Sequence, residues 1–253
     1  MIEAPPYPDT HDLLAGKTVL VTAAAGTGIG FATAKRCVEE GATVMISDAH
    51  ERRLGEAAEA LGVASMVCDV TSEDHVQRLV AGAVDALGHI DVLVNNAGLG
   101  GTANVADMTD EQWHRVLDVT LTGTFRMTRA ALRHMTPRRR GAIVNNASVL
   151  AWRAQAGQAH YAAAKAGVMA LTRCAAIEAA PANIRINAVS PSIAMHAHLA
   201  KVTTPALLAE LTSREAFSRA AEPWEVANVI VFLASDYASY MTGETVAVSS
   251  QHP

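Results

Sequence analysis

Short apolar runs with no polar–apolar alternation, each followed by a helix-like segment, recur along the chain and constrain its fold more than any other feature. Thr18-Val-Leu-Val-Thr22, Thr43-Val-Met-Ile-Ser47, Ser65-Met-Val-Cys68, Asp91-Val-Leu-Val-Asn95, Ala142-Ile-Val-Asn-Asn146, Arg185-Ile-Asn-Ala-Val189 and Thr245-Val-Ala-Val248 read as strands. A strand wetted on one face alternates; these do not, so both of their faces are expected to be covered. Helix-like runs stand between them. Ile29 to Glu40 is closed by Gly41, and Glu73 to Leu87 follows the third strand. Thr109 with Gln112 has capping-box spacing, and Pro223-Trp-Glu opens a later helix. Strands that alternate with helices predict a parallel sheet: one doubly wound α/β domain over residues 13–253. Residues 1–12 read as a Pro-rich extended tail, packed on a neighbouring subunit or loose.

The chain has 253 residues, half of them apolar, enough to bury one large core. Its net charge of −5 supplies no basic surface for nucleic acid. Cys37, Cys68 and Cys174 are too far apart for a zinc site or a disulfide framework, so no metal is expected. The N-terminus lacks the basic start and apolar core of a secretion signal, and no run reaches membrane-spanning length. A cytoplasmic protein with reduced thiols is the expectation.

The loop after the first strand reads Ala23-Ala-Ala-Gly-Thr-Gly-Ile-Gly30. Glycines there let backbone approach a pyrophosphate, and the following helix N-terminus favours its charge. Asp48 ends the second strand, eighteen residues after Gly30. A carboxylate so placed accepts from both adenosine ribose hydroxyls and repels a 2′-phosphate, which favours NAD over NADP. Arg52 and Arg53 read as a solvated helix start. Further on, Tyr161 and Lys165 are spaced to share one helix face, and Ser148 stands thirteen residues before Tyr161. A phenol is a poor acid at neutrality, with a pKa of about 10. A neighbouring ammonium is expected to lower it, so that Tyr161 can exchange a proton with an alcohol or ketone. Ser148 would hold the substrate oxygen as charge develops.

The ordered set of Gly28, Gly30, Asn95-Asn-Ala-Gly98, Ser148, Tyr161 and Lys165 resembles the short-chain dehydrogenase/reductase family from about Leu14 to Gln251. The resemblance implies a Rossmann fold with a seven-stranded parallel sheet. It implies a nicotinamide cofactor contacted by Ala24, Thr27, Gly28, Ile29, Gly30 and Asp48. Asp69 and Val70 would flank the adenine, and Asn95, Ala97 and Gly98 would line the cofactor. Lys165 would bind the nicotinamide ribose, with Tyr161, Pro191 and Ile193 also against the cofactor. It implies a homotetramer built on the faces of residues 121–135 and 162–180.

The chain departs from the family pattern at several positions. Ala23 and Ala24 occupy the first two positions of Thr-Gly-x-x-x-Gly-x-Gly, with Gly26 left to supply flexibility. Thr120 takes the place of a relay asparagine, so a proton relay would use a backbone carbonyl and water. Pro191-Ser192 replaces Pro-Gly, His196 replaces a threonine, and Ser249-Ser250 replaces Gly-Gly. Together with Asn145-Asn-Ala-Ser-Val-Leu150, Trp152-Arg-Ala-Gln155 and Gln251-His-Pro, these resemble actinobacterial dehydrogenases of steroid C- and D-ring breakdown. That subgroup implies a bicyclic 5-hydroxy-7a-methyl-1-oxo-indane carboxyl-CoA substrate, oxidised at its ring hydroxyl.

Residues 149–160 and 192–217 follow carboxyl ends of strands and should border the substrate, the second as a lid. Trp152 is a candidate to pack on an apolar ring, and Arg153 or His160 to face an acyl or phosphate group. Arg138-Arg139-Arg140 precedes the fifth strand, at the opposite sheet edge, and reads as a solvated loop. Two alternatives remain: an NADPH-dependent 3-oxoacyl thioester reductase, and a non-catalytic nucleotide sensor.

Overall fold

A computed structural model describes residues 3–195 and 204–250. Its sheet has seven strands in the order β3-β2-β1-β4-β5-β6-β7: β1 (Thr18–Thr22), β2 (Thr43–Asp48), β3 (Ala64–Val67), β4 (Val92–Asn95), β5 (Gly141–Asn146), β6 (Ile184–Pro191) and β7 (Thr245–Val248). Every pairing is parallel. The helices are α1 (Ile29–Glu39), α2 (Glu51–Leu61), α3 (Glu73–Leu87), α4 (Asp110–Leu117), α5 (Gly123–Arg138), α6 (Ala159–Ala179), α7 (Pro205–Ser213) and α8 (Pro223–Ala234).

The absence of alternation in the strands has its reason in two cores. Val19, Val21, Val44, Ile46, Val92, Val94 and Val144 face α1, α2 and α8. Leu20, Met45, Leu93, Ile143, Ile184 and Ile186 face α3, α5 and α6. Successive side chains point to opposite faces, so a strand with helices on both sides needs apolar residues throughout. The order reverses between β1 and β4, which opens a crevice at their carboxyl ends. Thr22 spans that crevice: its Oγ1 donates to Val94 O and accepts from Asn96 N and Ala97 N at 3.0 and 3.2 Å.

The tail is bound to its own chain. Arg36 and Glu40 are both buried, and Arg36 Nη2 lies 2.7 Å from Glu40 Oε1. Arg36 donates to Pro8 O and Asp9 O, while Glu40 Oε2 accepts from His11 N and Leu13 N. Tyr7 donates to Glu39 at 2.6 Å and stacks tilted on Trp224. The arginine run is not merely solvated either. Arg138 donates to Ile90 O and to the buried Asp91, which Arg140 also approaches at 3.7 Å. These groups lock the end of the sheet remote from the crevice.

Candidate active site

The glycine loop makes its turn at two residues. Ala23 adopts a left-handed φ of 51° and Gly26 a φ of 99°, so the bend is shared between them. Gly26 thus supplies the flexibility expected of it, while Ala24 is fully buried. Gly28 caps α1 with no side-chain bond, and the first turn of α1 holds no acidic residue. Its N–H groups are therefore free to receive an anion. Thr27 is exposed above this end, and Ile29 is partly buried behind it.

Asp48 closes the loop from the β2 side. Its Oδ2 accepts from Ala25 N at 3.2 Å and its Oδ1 from His50 N at 2.9 Å. Burial pushes its carboxyl above the usual range, opposed by the Ala25 N–H and the Arg53 charge. Arg52 is engaged with Glu56 on the exposed face of α2. Asp69 is exposed and accepts from Thr71 N and Oγ1 at 2.9 and 2.8 Å, while Val70 is buried against Gly123. An uncapped helix N-terminus beside a half-buried carboxylate suits a dinucleotide, so the residues present fit a nicotinamide cofactor.

The two asparagines after β4 divide their work. Asn95 is buried, and its Nδ2 donates to Asn145 Oδ1 and Thr128 Oγ1 at 2.9 and 3.1 Å, tying β4 to β5 and α5. Asn96 turns toward the crevice. Its Nδ2 donates to Ala23 O at 2.9 Å, and its Oδ1 accepts from Asn146 Nδ2 at 2.9 Å. The sequence singled out Asn95 and passed over the side chains of Asn96 and Asn146. Ala97 and Gly98 follow at the mouth of the crevice, where a Cβ on Gly98 would lie 3.3 Å from Lys165 Nζ.

Ser148, Tyr161 and Lys165 meet just beyond β5. Ser148 caps the turn Val149–Ala151, and its Oγ accepts from Leu150 N at 3.2 Å, which leaves the hydroxyl proton to donate. Burial raises the Tyr161 phenol above its ordinary value, and a hydrogen bond with Ser148 opposes the rise. Burial lowers the Lys165 ammonium to about 8. Lys165 Nζ donates to Asn146 O and lies 5.6 Å from the Tyr161 ring centroid. The expected lowering of Tyr161 by its neighbour is thus corrected: burial raises the phenol, only the Ser148 hydrogen bond opposes it, and the ammonium is turned toward a carbonyl.

Thr120 sits in a π-helical turn, Asp118–Thr122, between α4 and α5. Its Oγ1 donates to Leu99 O and accepts from Leu99 N, and its carbonyl already accepts from Thr124 Oγ1 at 2.7 Å. Trp152 is 56% exposed beside this region, with Arg153 partly buried after it. His160 is 1% exposed and packs beneath Gly101. Pro191 ends β6, and Ile193 O accepts from Ala221 N at 2.9 Å. His196, residues 196–203 of the 192–217 segment, and Gln251 to Pro253 lie outside the described residues.

A family model described as enoyl-(acyl carrier protein) reductase matches residues 23–250. The chain belongs to the short-chain dehydrogenase/reductase family. It is 64% identical over 250 residues to the (5R,7aS)-5-hydroxy-7a-methyl-1-oxo-2,3,5,6,7,7a-hexahydro-1H-indene-carboxyl-CoA reductase of Mycobacterium tuberculosis, covering 96% of this chain and 95% of that one. It is 41% identical to the 3-oxoacyl-[acyl-carrier-protein] reductase FabG of Thermotoga maritima, over 93% of this chain and 97% of that one. A short-chain dehydrogenase of Mycobacterium smegmatis superposes with a TM-score of 0.89 at 60% identity, over 99% of both chains. The short-chain dehydrogenase/reductase described here is therefore an enzyme, a nicotinamide-dependent oxidoreductase acting on CH–OH groups. Among the described residues no helix is long and apolar enough to cross a membrane.

Proposed function

We propose that this enzyme interconverts a ring alcohol and its ketone on a bicyclic, coenzyme A-linked fragment of a steroid nucleus, with NAD as its cofactor. The observation that carries the reading is the 64% identity to the M. tuberculosis indene-carboxyl-CoA reductase. The convergence of Ser148, Tyr161 and Lys165 beside the uncapped α1 terminus supports it.

Ala24, Thr27, Gly28, Ile29 and Gly30 would hold the pyrophosphate, Asp48 the adenosine ribose, and Asp69 and Val70 the adenine. Asn95 supports the β4 end from within, while Ala97, Gly98, Pro191 and Ile193 would face the nicotinamide end. Bound there, the nicotinamide supplies the acceptor or donor of a hydride. Ser148, held by Leu150 N and bonded to Tyr161, would turn its hydroxyl proton to the substrate oxygen. Tyr161 moves a proton at its Oη. Its raised pKa keeps the phenol protonated at neutrality, so it is ready to donate to a ketone oxygen. In the other direction it must lose that proton, and alcohol oxidation gains from higher pH. Lys165 stays largely charged at neutrality and would present that charge to the nicotinamide ribose. The Asp48 carboxylate would repel a 2′-phosphate, and Arg52 is engaged with Glu56, although the Arg53 charge does reach Asp48.

The outer faces of α5 and α6 form an apolar groove of about 500 Å³ lined by Phe125, Leu132, Pro137 and Leu171. That groove suits the homotetramer, and three unpaired cysteines suit a reducing cytoplasm.

The test is absorbance of reduced nicotinamide with purified enzyme, NAD and 5-hydroxy-7a-methyl-1-oxo-indane carboxyl-CoA. NADP and a linear 3-hydroxyacyl-CoA run in parallel, with Tyr161→Phe as control. Tyrosine-dependent NAD reduction on the bicyclic thioester supports the reading. Preference for NADP with the linear thioester replaces it by a 3-oxoacyl reductase, the activity named for the T. maritima relative.

A further inference from the structure

Two of the positions where this chain departs from its family converge on one buried carboxylate. Ser192 stands where the pattern has the glycine of Pro-Gly, and Ser250 where it has the second glycine of a pair. Ser192 Oγ donates to Glu215 Oε2 at 3.2 Å, and Ser250 Oγ donates to the same oxygen at 2.9 Å. Glu215 is 3% exposed, and among the described residues its Oε1 has no hydrogen-bond partner. A buried carboxylate is costly unless it is hydrogen-bonded, and glycine at either position would remove a donor.

The backbone around the carboxylate is stitched in the same sense. Ser192 N donates to Val248 O, Ala216 N to Ser250 O, Ala221 N to Ile193 O and Met195 N to Ala221 O, at 3.1, 2.8, 2.9 and 2.9 Å. Residues 192–195 are thus clamped between the end of β7 and the stretch 215–221. A cavity of about 160 Å³ lies alongside, lined by Ser192, Glu215, Phe217, Val248 and Ser249. Side-chain packing is therefore incomplete on that side, and the hydrogen bonds to Glu215 take its place.

We propose that Glu215 is a positioning residue. Through Ser192 and Ser250 it fastens the stretch after β6 to the end of β7, and so holds Pro191 and Ile193 at the nicotinamide end of the cofactor site. This rests on the assignment of Pro191 and Ile193 made under the proposed function. The carboxylate acts through the two serines that donate to it.

The experiment compares Glu215→Ala, Glu215→Gln and the pair Ser192→Gly with Ser250→Gly. Amide hydrogen exchange is followed in the nucleotide-free protein, and dissociation constants are measured for NAD and for ADP-ribose, which lacks the nicotinamide. In Glu215→Ala and in the paired serine variant, the amides of Ser192, Met195 and Ala216 should exchange at least about tenfold faster, with β1 and β4 unchanged. NAD binding should weaken about tenfold while ADP-ribose binding holds. Glu215→Gln, which keeps an acceptor oxygen of the same reach, should restore most of both. Unchanged exchange overturns the fastening. Equal weakening of NAD and ADP-ribose overturns the positioning role in favour of a general structural one. Faster exchange with NAD affinity intact shows instead that Pro191 and Ile193 do not face the nicotinamide, and the proposal falls with that assignment.

Discussion

Asn146 donates its side-chain amide to Asn96 Oδ1 at 2.9 Å, and this bond joins the nucleotide loop to the buried lysine. On one side Asn96 Nδ2 holds the carbonyl of Ala23, the non-glycine residue with φ 51°. On the other side the main-chain carbonyl of Asn146 accepts from Lys165 Nζ. A left-handed alanine persists only where its surroundings hold it, and Asn96 is the holding group. The position of the loop and that of the lysine are thus linked through two amides fifty residues apart in sequence.

Asn146→Ala cuts that link. It leaves Asn96 Oδ1 without its donor at a cost of about 1–3 kcal/mol. NAD affinity is expected to fall about tenfold, and kcat/KM by one to two orders of magnitude, because loop and lysine shift together. Calorimetric titration with NAD and steady-state kinetics check this. Lower thermal stability with intact NAD affinity would show the bond to be structural alone.

Lys165 carries a stability cost that depends on pH. It is buried, no carboxylate among the described residues pairs with it, and its folded value of about 8 lies below its ordinary 10.5. Below pH 8 both folded and unfolded chains hold the proton, and the folded state bears the whole desolvation cost. Between 8 and 10.5 the folded state releases it first, so stability rises with pH. The gap between the two values corresponds to about 3 kcal/mol. Tyr161, raised above its ordinary 10.0, acts in the opposite sense only at higher pH. Lys165→Met should therefore raise stability at pH 7 while removing turnover, and its advantage should shrink by about 2 kcal/mol at pH 9.5. Urea unfolding of both forms at the two pH values decides it; a pH-independent difference would refute the depressed value.

The sheet was legible because a doubly covered strand must be apolar throughout, and that pattern is local. Ser148, Tyr161 and Lys165 were legible because their spacing is short and their order along the chain is distinctive. What escaped was non-local. Nothing near Asn96 indicates that it meets Asn146, and Ser192 gives no sign of meeting Glu215. The π turn at Asp118–Thr122 was hidden inside a continuous helical pattern. The sign of the Tyr161 shift was missed because charge spacing is written in sequence and burial is not.

Glu40 clamps the N-terminal tail. It is fully buried, pairs with Arg36 and accepts from two backbone amides of the tail. Removing one partner of a buried ion pair leaves the other uncompensated. Glu40→Ala is expected to destabilise the enzyme by about 3–5 kcal/mol and to free the tail for proteolysis before residue 13. Urea midpoints and limited proteolysis measure the two effects, and a loss under about 1 kcal/mol would mean that the clamp is idle.

Gly30 and Gly55 separate close approach from helix propensity. A Cβ on Gly30 would stand 2.3 Å from Ala23 O and 2.5 Å from Asn96 Nδ2, the joint described above. Neither neighbour can yield cheaply, because one is backbone and the other is held by Asn146. Gly30→Ala should push the start of α1 away from the loop and weaken NAD binding at least about tenfold. Gly55 lies inside α2 with nothing within 4 Å of such a Cβ. Gly55→Ala should stabilise the fold by about 0.5–1 kcal/mol and leave NAD binding untouched. Thermal melts and NAD titrations of the two variants, run side by side, test both. Equal behaviour of the pair would show that the loop gives way more easily than its contacts imply.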